Sequence, residues 1–207
     1  SLIQLAGLLS AKGINIAVVS PGSRNAPLIA ALNRQGIQCL SVVDERSAAY
    51  FALGIAQQKR VPIAIACTSG TAALNYAPAI AEAYYQMVPL LILTADRPPE
   101  WIDQGDGQAI NQNSLYSNYI RKSVQLPSEP WNESTLRYNA RLINDAIDAC
   151  TFPVDGPVHI NIPLSEPLYK EETVAQPEVS LMQLVRTIPK VSYSDLEIFA
   201  GIWNNTG

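Results

Sequence analysis

Short apolar runs and amphipathic stretches alternate along most of the chain. Four runs are apolar throughout rather than at every second residue, over residues 16–19, 39–43, 63–67 and 90–94. Such runs are typical of strands that are covered on both faces of a sheet. Helical periodicity fills residues 2–9, 27–33, 46–58, 72–86 and 134–150, and a last apolar run at residues 158–162 ends at Pro163.

This alternation predicts an α/β fold. Because parallel strands need long, right-handed crossover connections, we expect a doubly wound, mostly parallel sheet with helices on both faces. A chain of 207 residues is long enough to bury one sizeable core of this kind. The domain should extend over residues 1–170.

The character of the sequence changes after residue 170. Charged and proline-containing segments predict a solvated linker, and residues 192–203 predict a helix with Ser194 as its N-cap. We expect residues 171–207 to be this linker and the start of a truncated central domain, since no strand follows the helix. The helical pattern that begins at Leu2 also suggests that the natural N-terminus has been trimmed or tagged at Ser1.

Composition and charge argue against several classes of protein. Hydrophobic residues make up 48% of the chain, and the net charge of −4 without any Lys/Arg run argues against a nucleic-acid surface. No apolar run approaches the roughly 20 residues that span a bilayer, so no membrane insertion is expected. Three widely spaced cysteines in apolar contexts, Cys39, Cys67 and Cys150, predict buried, reduced thiols in a cytoplasmic protein.

Candidate chemistry lies in the loops that follow the predicted strands. Glu45 stands between the second strand and the next helix, and open α/β sheets bind ligands at the carboxyl ends of their strands. A carboxylate there can hold one proton for a ring nitrogen of a cofactor. Taken alone, Glu45 could also be a carboxylate that the helix dipole favours at a helix start.

The loop over residues 20–27 is a candidate anion site. Asn25 and Pro27 predict a helix start, whose free N–H groups favour an anion. Ser23 and Arg24 add a hydroxyl and a bidentate cation. The alternative is a tight turn with a solvated arginine.

Two further loops complete the set. Residues 68–71 follow the third strand, and their small side chains let a ligand approach the backbone, unless they form only a helix cap. Arg97 follows the fourth strand, where two prolines hold it as a rigid cation. Gln108 lies in the Gly-rich loop beyond it.

Together these loops resemble those of a known family. The resemblance rests on five segments in matching order and spacing, namely Pro21-Gly22-Ser23-Arg24, Asp44-Glu45-Arg46, Thr68-Ser69-Gly70-Thr71-Ala72, Thr94-Ala95-Asp96-Arg97-Pro98-Pro99-Glu100 and Gln108-Ala109-Ile110. They resemble the N-terminal pyrimidine-binding domain of thiamin-diphosphate enzymes, over roughly residues 1–170. The Ser-Arg loop together with the Arg-Pro-Pro-Glu loop points to the branch of 2-succinyl-5-enolpyruvyl-6-hydroxy-3-cyclohexene-1-carboxylate synthases.

The resemblance implies thiamin diphosphate and Mg²⁺ as cofactors. It implies that Glu45 hydrogen-bonds a nitrogen of the aminopyrimidine ring and so favours the tautomer that removes a proton from the thiazolium carbon. It also places Thr68, Ser69, Gly70 and Thr71 at the cofactor. The metal and diphosphate ligands are expected in a separate C-terminal domain outside this chain.

The resemblance also implies the reaction and its substrates. In this branch 2-oxoglutarate is decarboxylated and the succinyl carbanion is added to isochorismate, in menaquinone biosynthesis. Both substrates carry two carboxylates, so catalysis needs fixed cations. The resemblance assigns Ser23, Arg24, Arg97 and Gln108 to isochorismate, with Gln108 near the reacting carbon.

Such enzymes bind their cofactor between the pyrimidine domain of one subunit and the diphosphate domain of another. The resemblance therefore implies a homodimer or homotetramer with a shared site. The 207-residue chain alone should be catalytically inactive, should bind thiamin diphosphate weakly or not at all, and should self-associate.

Two features mimic a metal site. Gly105-Asp106-Gly107 repeats the triplet that opens the metal–diphosphate motif of thiamin enzymes, but it lies in a polar loop rather than after a strand. His159, the only histidine, alternates with apolar neighbours and is expected to be a core or sheet-face residue. The sequence therefore assigns no metal ligand in this chain.

Three other interpretations stay open. An acetolactate synthase or a 2-oxoacid decarboxylase would share Glu45, but Arg24 and Arg97 favour a polyanionic acceptor. A non-catalytic domain of the same fold that binds a partner is disfavoured by the presence of Glu45. A nucleotide-binding Rossmann protein is least favoured, because no Gly-x-Gly-x-x-Gly follows the first strand.

Overall fold

The computed structural model describes residues 2–128, 132–168, 180–187 and 190–205, and within them six strands form one sheet. The strands are β1 Ile16–Val19, β2 Gln38–Ser41, β3 Ile63–Cys67, β4 Leu90–Asp96, β5 Lys122–Gln125 and β6 Val158–Pro163. Neighbouring strands all pair in parallel, in the order β2-β1-β3-β4-β6-β5. The parallel sheet predicted from the sequence is confirmed.

Helices cover both faces of this sheet. They are α1 Leu2–Ala11, α2 Ala26–Arg34, α3 Glu45–Lys59, α4 Thr71–Leu74, α5 Ala77–Tyr85, α6 Glu133–Ala149 and α7 Tyr193–Asn205, with short 3-10 helices at Pro99–Trp101 and Ser117–Tyr119. The helices α1, α2 and α6 pack on one face, and α3 and α5 pack on the other, each against its own set of buried aliphatic side chains. The doubly wound α/β fold is therefore confirmed.

The burial of each strand follows from its position in the sheet. The central strands β3, β4 and β6 are buried along their whole length, as their largely apolar sequences predict. The strand predicted over residues 39–43 lies at Gln38–Ser41 instead, at one edge of the sheet, and Val43 is 77% exposed beyond its end. Position in the sheet, rather than the length of the apolar run, sets the end of this strand.

Two elements differ from the predictions. The helix predicted over residues 72–86 is divided into α4 and α5, because Pro78 lies in the first turn of α5 and favours a new helix start there. The strand β5 was not predicted. It lies at the other edge of the sheet, and only Val124 within it is buried, so its sequence carries no continuous apolar run.

Of the two predicted helix caps, Asn25 is at the predicted position and Ser194 is wrong. Asn25 occupies the N-cap position of α2, but its Nδ2 donates to the Ser20 carbonyl at 2.8 Å and its side chain makes no capping bond. At the start of α7, Ser192 rather than Ser194 accepts a hydrogen bond from the Asp195 N–H, at 3.1 Å. Asn25 therefore closes the loop after β1 instead of capping the helix.

The predicted division at residue 170 falls in the stretch 169–179, which lies outside the described residues, and stays a prediction. The helix predicted over residues 192–203 is present as α7. None of the described helices is long and apolar enough to cross a membrane. Cys67 and Cys150 are buried and Cys39 is partly buried, and all three are free thiols.

His159 lies in the core, as predicted. Its Nε2 is 2.7 Å from Thr94 Oγ1 and its Nδ1 is 3.3 Å from Ser123 Oγ, while its ring makes an edge contact with Tyr116. The side chain is fully buried, and this burial lowers the pKa of His159 to about 3. The imidazole is therefore neutral in the folded chain at neutral and mildly acidic pH.

This buried imidazole predicts a pH dependence of folding. The unfolded chain protonates His159 below about pH 6.5 while the folded chain does not, so the free energy of unfolding should fall by about 2 kcal/mol between pH 7 and pH 5. Urea unfolding at the two pH values measures this loss, and His159→Gln should remove it. An imidazole signal that titrates near pH 6.5 in the folded chain would contradict the prediction.

Candidate active site

The candidate site lies at the carboxyl edge of the sheet, where the strand order reverses. The strand β2 lies on one side of β1, at the edge of the sheet, and β3 lies on the other side of β1. The loops after β1 and β3 therefore flank a crevice. Such crevices are the usual ligand sites of open parallel sheets. The two loops touch: a Cβ on Gly22 would lie 2.5 Å from Thr68 Cβ, so only glycine fits at position 22.

Glu45 enters this crevice as the first residue of α3. Asp44 is the N-cap, and its carboxylate accepts a hydrogen bond from the Ser47 N–H at 2.7 Å. This hydrogen bond holds the pKa of Asp44 below its usual range. Because the cap fixes the first turn of the helix, it also fixes the position from which the partly buried Glu45 projects.

Glu45 lines a pocket of about 280 Å³, which we name the glutamate pocket. Five further residues proposed from the sequence line it, namely Ser23, Thr68, Ser69, Thr71 and Gln108. Thr68 and Ser69 are almost completely buried. The loops after β1, β2 and β3 and the loop that carries Gln108 therefore meet at one place, as the sequence predicted.

Gly70 holds two of these loops together. Its φ is +84°, and a Cβ at this position would lie 2.9 Å from three backbone atoms of Gln108. Its N–H donates to Gln112 Oε1 at 2.7 Å. Gly70 is needed both for its backbone conformation and for the close approach of Gln108.

A second pocket, of about 350 Å³, lies beside the loops after β4 and β6, and we name it the arginine pocket. Its lining includes Arg24, Arg97, Pro98, Trp101, Asp106 and Glu166. Two of these are the cations proposed from the sequence. Three carboxylates, those of Glu100, Asp106 and Glu166, line it beside the two arginines and Trp101.

Arg24 is a buried cation. It is only 4% exposed, and it donates from Nη1 to the Leu164 carbonyl at 2.7 Å and from Nη2 to Glu166 Oε1 at 3.0 Å. The alternative of a solvated arginine in this turn is therefore wrong. The end of β6 holds Arg24 in place, since Leu164 directly follows that strand.

Arg97 is held by the loop that follows it. Its Nη1 lies 2.9 Å from Asp106 Oδ2 and its Nη2 donates to the Gly107 carbonyl at 2.9 Å. Asp106, which mimics a metal motif in the sequence, is thus an ion-pair partner of Arg97. The buried Nε of Arg97 has no hydrogen-bond partner within the described part of the chain.

The structure divides the four residues proposed for isochorismate into two pairs. Ser23 and Gln108 line the glutamate pocket, whereas Arg24 and Arg97 line the arginine pocket. Their roles stay predictions. The division indicates that a ligand touching all four would have to extend across both pockets.

Sequence reasoning missed two residues of the site. Gln112 is 1% exposed and bonds to Gly70, and Glu166 lies against Arg24. Neither has a local signal, because Gln112 lies in a polar loop and Glu166 is 142 positions away from Arg24. A search of the sequence for carboxylates that could pair with Arg24 and Arg97 would have included Glu166.

Comparison with protein families identifies the family of this chain. Residues 3–115 match the family described as "Thiamine pyrophosphate enzyme, N-terminal TPP binding domain". This chain belongs to that family. The match includes the loops that carry Glu45, Gly70, Arg97 and Gln108.

Three curated relatives carry the name "2-succinyl-5-enolpyruvyl-6-hydroxy-3-cyclohexene-1-carboxylate synthase". The chain is 50% identical to the protein of Desulfotalea psychrophila over 181 residues. This aligned region covers 87% of this chain and 34% of that protein. The chain is 46% identical to a Bacteroides fragilis protein, in an alignment that covers 88% of this chain and 33% of that protein. It is 44% identical to a protein of Christiangramia forsetii, in an alignment that covers 97% of this chain and 37% of that protein. The chain thus spans about a third of the length of the curated relatives it matches.

The glutamate pocket fits the cofactor of the family. Thr68 Oγ1 is buried and has no hydrogen-bond partner among the described residues, so it is available to a ligand. Gly22 and Gly70 let Thr68 and Gln108 approach closely at the edge of this pocket. Glu45 supplies a carboxyl group at the same pocket. Across the described ranges, no group of three or more His, Cys, Asp or Glu residues is placed to hold a metal ion.

Gly70→Ala should destabilise the chain more than a glycine-to-alanine change at a positive φ in open space. Gly105 is the control, because its φ is also positive, at +77°, and a Cβ there meets nothing within 4 Å. We expect Gly105→Ala to cost about 1 kcal/mol and Gly70→Ala about 1–3 kcal/mol more, from the contact with Gln108. Urea unfolding of both variants measures the difference, and equal losses would contradict the packing of Gly70 on Gln108.

Proposed function

We propose that this chain is the N-terminal part of a thiamin-diphosphate-dependent synthase. The reaction is the decarboxylation of 2-oxoglutarate and the addition of the remaining four-carbon unit to isochorismate, a step of menaquinone biosynthesis. The observation that carries the proposal is the presence of Glu45 and two buried or partly buried arginines at one edge of the sheet. The shared name of the relatives supports the same reaction.

Glu45 is the proton-handling residue in this proposal. Thiamin diphosphate supplies an acidic ring carbon and an electron sink when it is bound. Glu45 holds a proton at a ring nitrogen of the pyrimidine, and Thr68, Ser69 and Thr71 orient that ring. The capped first turn of α3 keeps the Glu45 carboxyl group in a constant position.

Arg24 and Arg97 are the acceptor-binding residues. Isochorismate carries two carboxylates, and guanidinium groups bind carboxylates with paired hydrogen bonds. Arg97 still has an unpartnered donor among the described residues, and both side chains line one pocket. Ser23 and Gln108 face the glutamate pocket, where the cofactor and the acceptor must meet. In this proposal Gln108 acts near the reacting carbon.

The arginine pocket favours this reaction over other thiamin chemistry. An acetolactate synthase or a 2-oxoacid decarboxylase uses Glu45 in the same way but has no acceptor with two carboxylates. Arg24 and Arg97 offer two cations in one pocket, which suit an acceptor with two carboxylates. A non-catalytic binding domain would not require Glu45.

The rest of the site belongs to the longer protein in this proposal. Its relatives are about three times as long, and we propose that the other domains supply the ligands of Mg²⁺ and of the diphosphate. Residues 171–207 then link this domain to the next. We also propose a homodimer or homotetramer with a shared site, in the cytoplasm, where the free thiols would remain reduced.

Glu45→Gln in the full-length protein should lower turnover by about 10²–10⁴, because the amide cannot exchange a proton with the ring nitrogen. The assay supplies thiamin diphosphate, Mg²⁺ and 2-oxoglutarate, and follows the consumption of isochorismate. Melting temperature should change little, since Asp44 rather than Glu45 caps the helix.

The matched control is Glu133→Gln. Glu133 is likewise the first residue of a helix, α6, and it is exposed and paired only with Arg137 in the contacts described. It should leave turnover at the wild-type value. Isochorismate consumption that is unchanged in Glu45→Gln, or that does not require 2-oxoglutarate in the wild type, would refute the proposed function.

A further inference from the structure

Glu166 lies between the two cations of the arginine pocket. One of its carboxylate oxygens, Oε1, is 3.0 Å from Arg24 Nη2 and 3.7 Å from Arg97 Nη1. Arg97 also pairs with Asp106, and the two guanidinium groups share the negative charge of Glu166. That charge comes from the segment that follows β6, far from both arginines in the sequence.

The three side chains differ in burial. The side chains of Arg24 and Arg97 are 5% and 22% exposed, whereas that of Glu166 is 68% exposed. A buried guanidinium without an anion is unfavourable, so a negative group at this position stabilises Arg24. An exposed carboxylate gains little from an ion pair, because water competes for it. Glu166 can therefore leave easily once another anion takes its place.

We propose that Glu166 is a carboxylate placeholder in the acceptor site. It occupies the position of a substrate carboxylate between Arg24 and Arg97, and the dianionic acceptor displaces it. The inference rests on the proposed function, in which this acceptor is isochorismate. Glu166 thus competes with the substrate and helps to set the affinity of the arginine pocket.

Other contacts keep the arginines in place when Glu166 leaves. Asp106 Oδ2 is 2.9 Å from the same Arg97 Nη1 that Glu166 approaches at 3.7 Å. Arg24 keeps its hydrogen bond to the Leu164 carbonyl at 2.7 Å. The acid can therefore exchange with a ligand while both cations stay oriented.

The test is Glu166→Gln in the full-length protein with thiamin diphosphate, Mg²⁺ and saturating 2-oxoglutarate, at fixed ionic strength. KM for isochorismate should fall roughly three- to tenfold, as expected if the wild-type placeholder occupies the site for about 70–90% of the time. The values of kcat and of KM for 2-oxoglutarate should not change. Glu166→Ala should shift KM for isochorismate in the same direction.

Glu133→Gln is again the control, because it removes the carboxylate of another Glu–Arg pair, an exposed one on α6. It should leave KM for isochorismate unchanged. Titration of isochorismate into cofactor-free protein should show the same tightening in Glu166→Gln as the kinetics.

An unchanged or raised KM for isochorismate in Glu166→Gln overturns the placeholder, and a raised value would mean that Glu166 orients Arg24 for the substrate. These outcomes leave the proposed function intact, since the wild type still consumes isochorismate. A wild-type protein that neither binds nor consumes isochorismate refutes the proposed function, and the placeholder with it.

Discussion

One buried side-chain amide, that of Gln112, fixes the relative positions of the loops that form the site. Its Oε1 accepts from the Gly70 N–H at 2.7 Å, and its Nε2 donates to the Ala95 carbonyl at 3.2 Å and to Asn161 Oδ1 at 3.0 Å. The loop after β3 is thereby bonded to β4 and β6. Because the amide is 1% exposed, each of these bonds is costly to break.

The same network continues to the arginine pocket. Asn161 Nδ2 donates to Asp96 Oδ2 at 2.7 Å, and Asp96 Oδ1 accepts from the Arg97 N–H at 2.8 Å. Burial raises the pKa of Asp96, and its hydrogen bonds to Asn161 and Arg97 oppose that rise. An unbroken path of polar contacts thus runs from Gly70 in one loop to Arg97 in another. The glutamate pocket and the arginine pocket are held by one set of bonds.

The sequence predicted the elements whose formation depends on local pattern. The strands β1 and β3 were predicted with their observed bounds. Glu45 was predicted just before a helix over residues 46–58 and is the first residue of α3, because an apolar run ends there and a helical pattern begins. The strand β5 was not predicted, because an edge strand buries little apolar surface and its sequence shows no apolar run. Its position depends on pairing with β6, which a local pattern does not contain.

The site was predictable as a set of loops but not as a set of contacts. Strand ends of a parallel sheet lie at one edge, so the loops of Ser23, Glu45, residues 68–71 and Arg97 were expected to meet there. The pairing of Arg24 with Glu166 was not expected, because it joins the loop after β1 to the loop after β6. The hydrogen bonds of Gln112 were unpredictable for the same reason. Long-range polar contacts follow from the folded geometry, which a local pattern does not encode.

In the proposed function the arginine pocket binds the acceptor, whereas the glutamate pocket holds the cofactor and the reacting end of the acceptor. The most direct test is Arg97→Ala in the full-length protein, with the exposed Arg137→Ala as control. The account predicts that KM for isochorismate rises about 10–100-fold, from the loss of charge-assisted hydrogen bonds, while the affinity for thiamin diphosphate stays the same. An unchanged KM for isochorismate, or an equal loss of cofactor affinity, would contradict it.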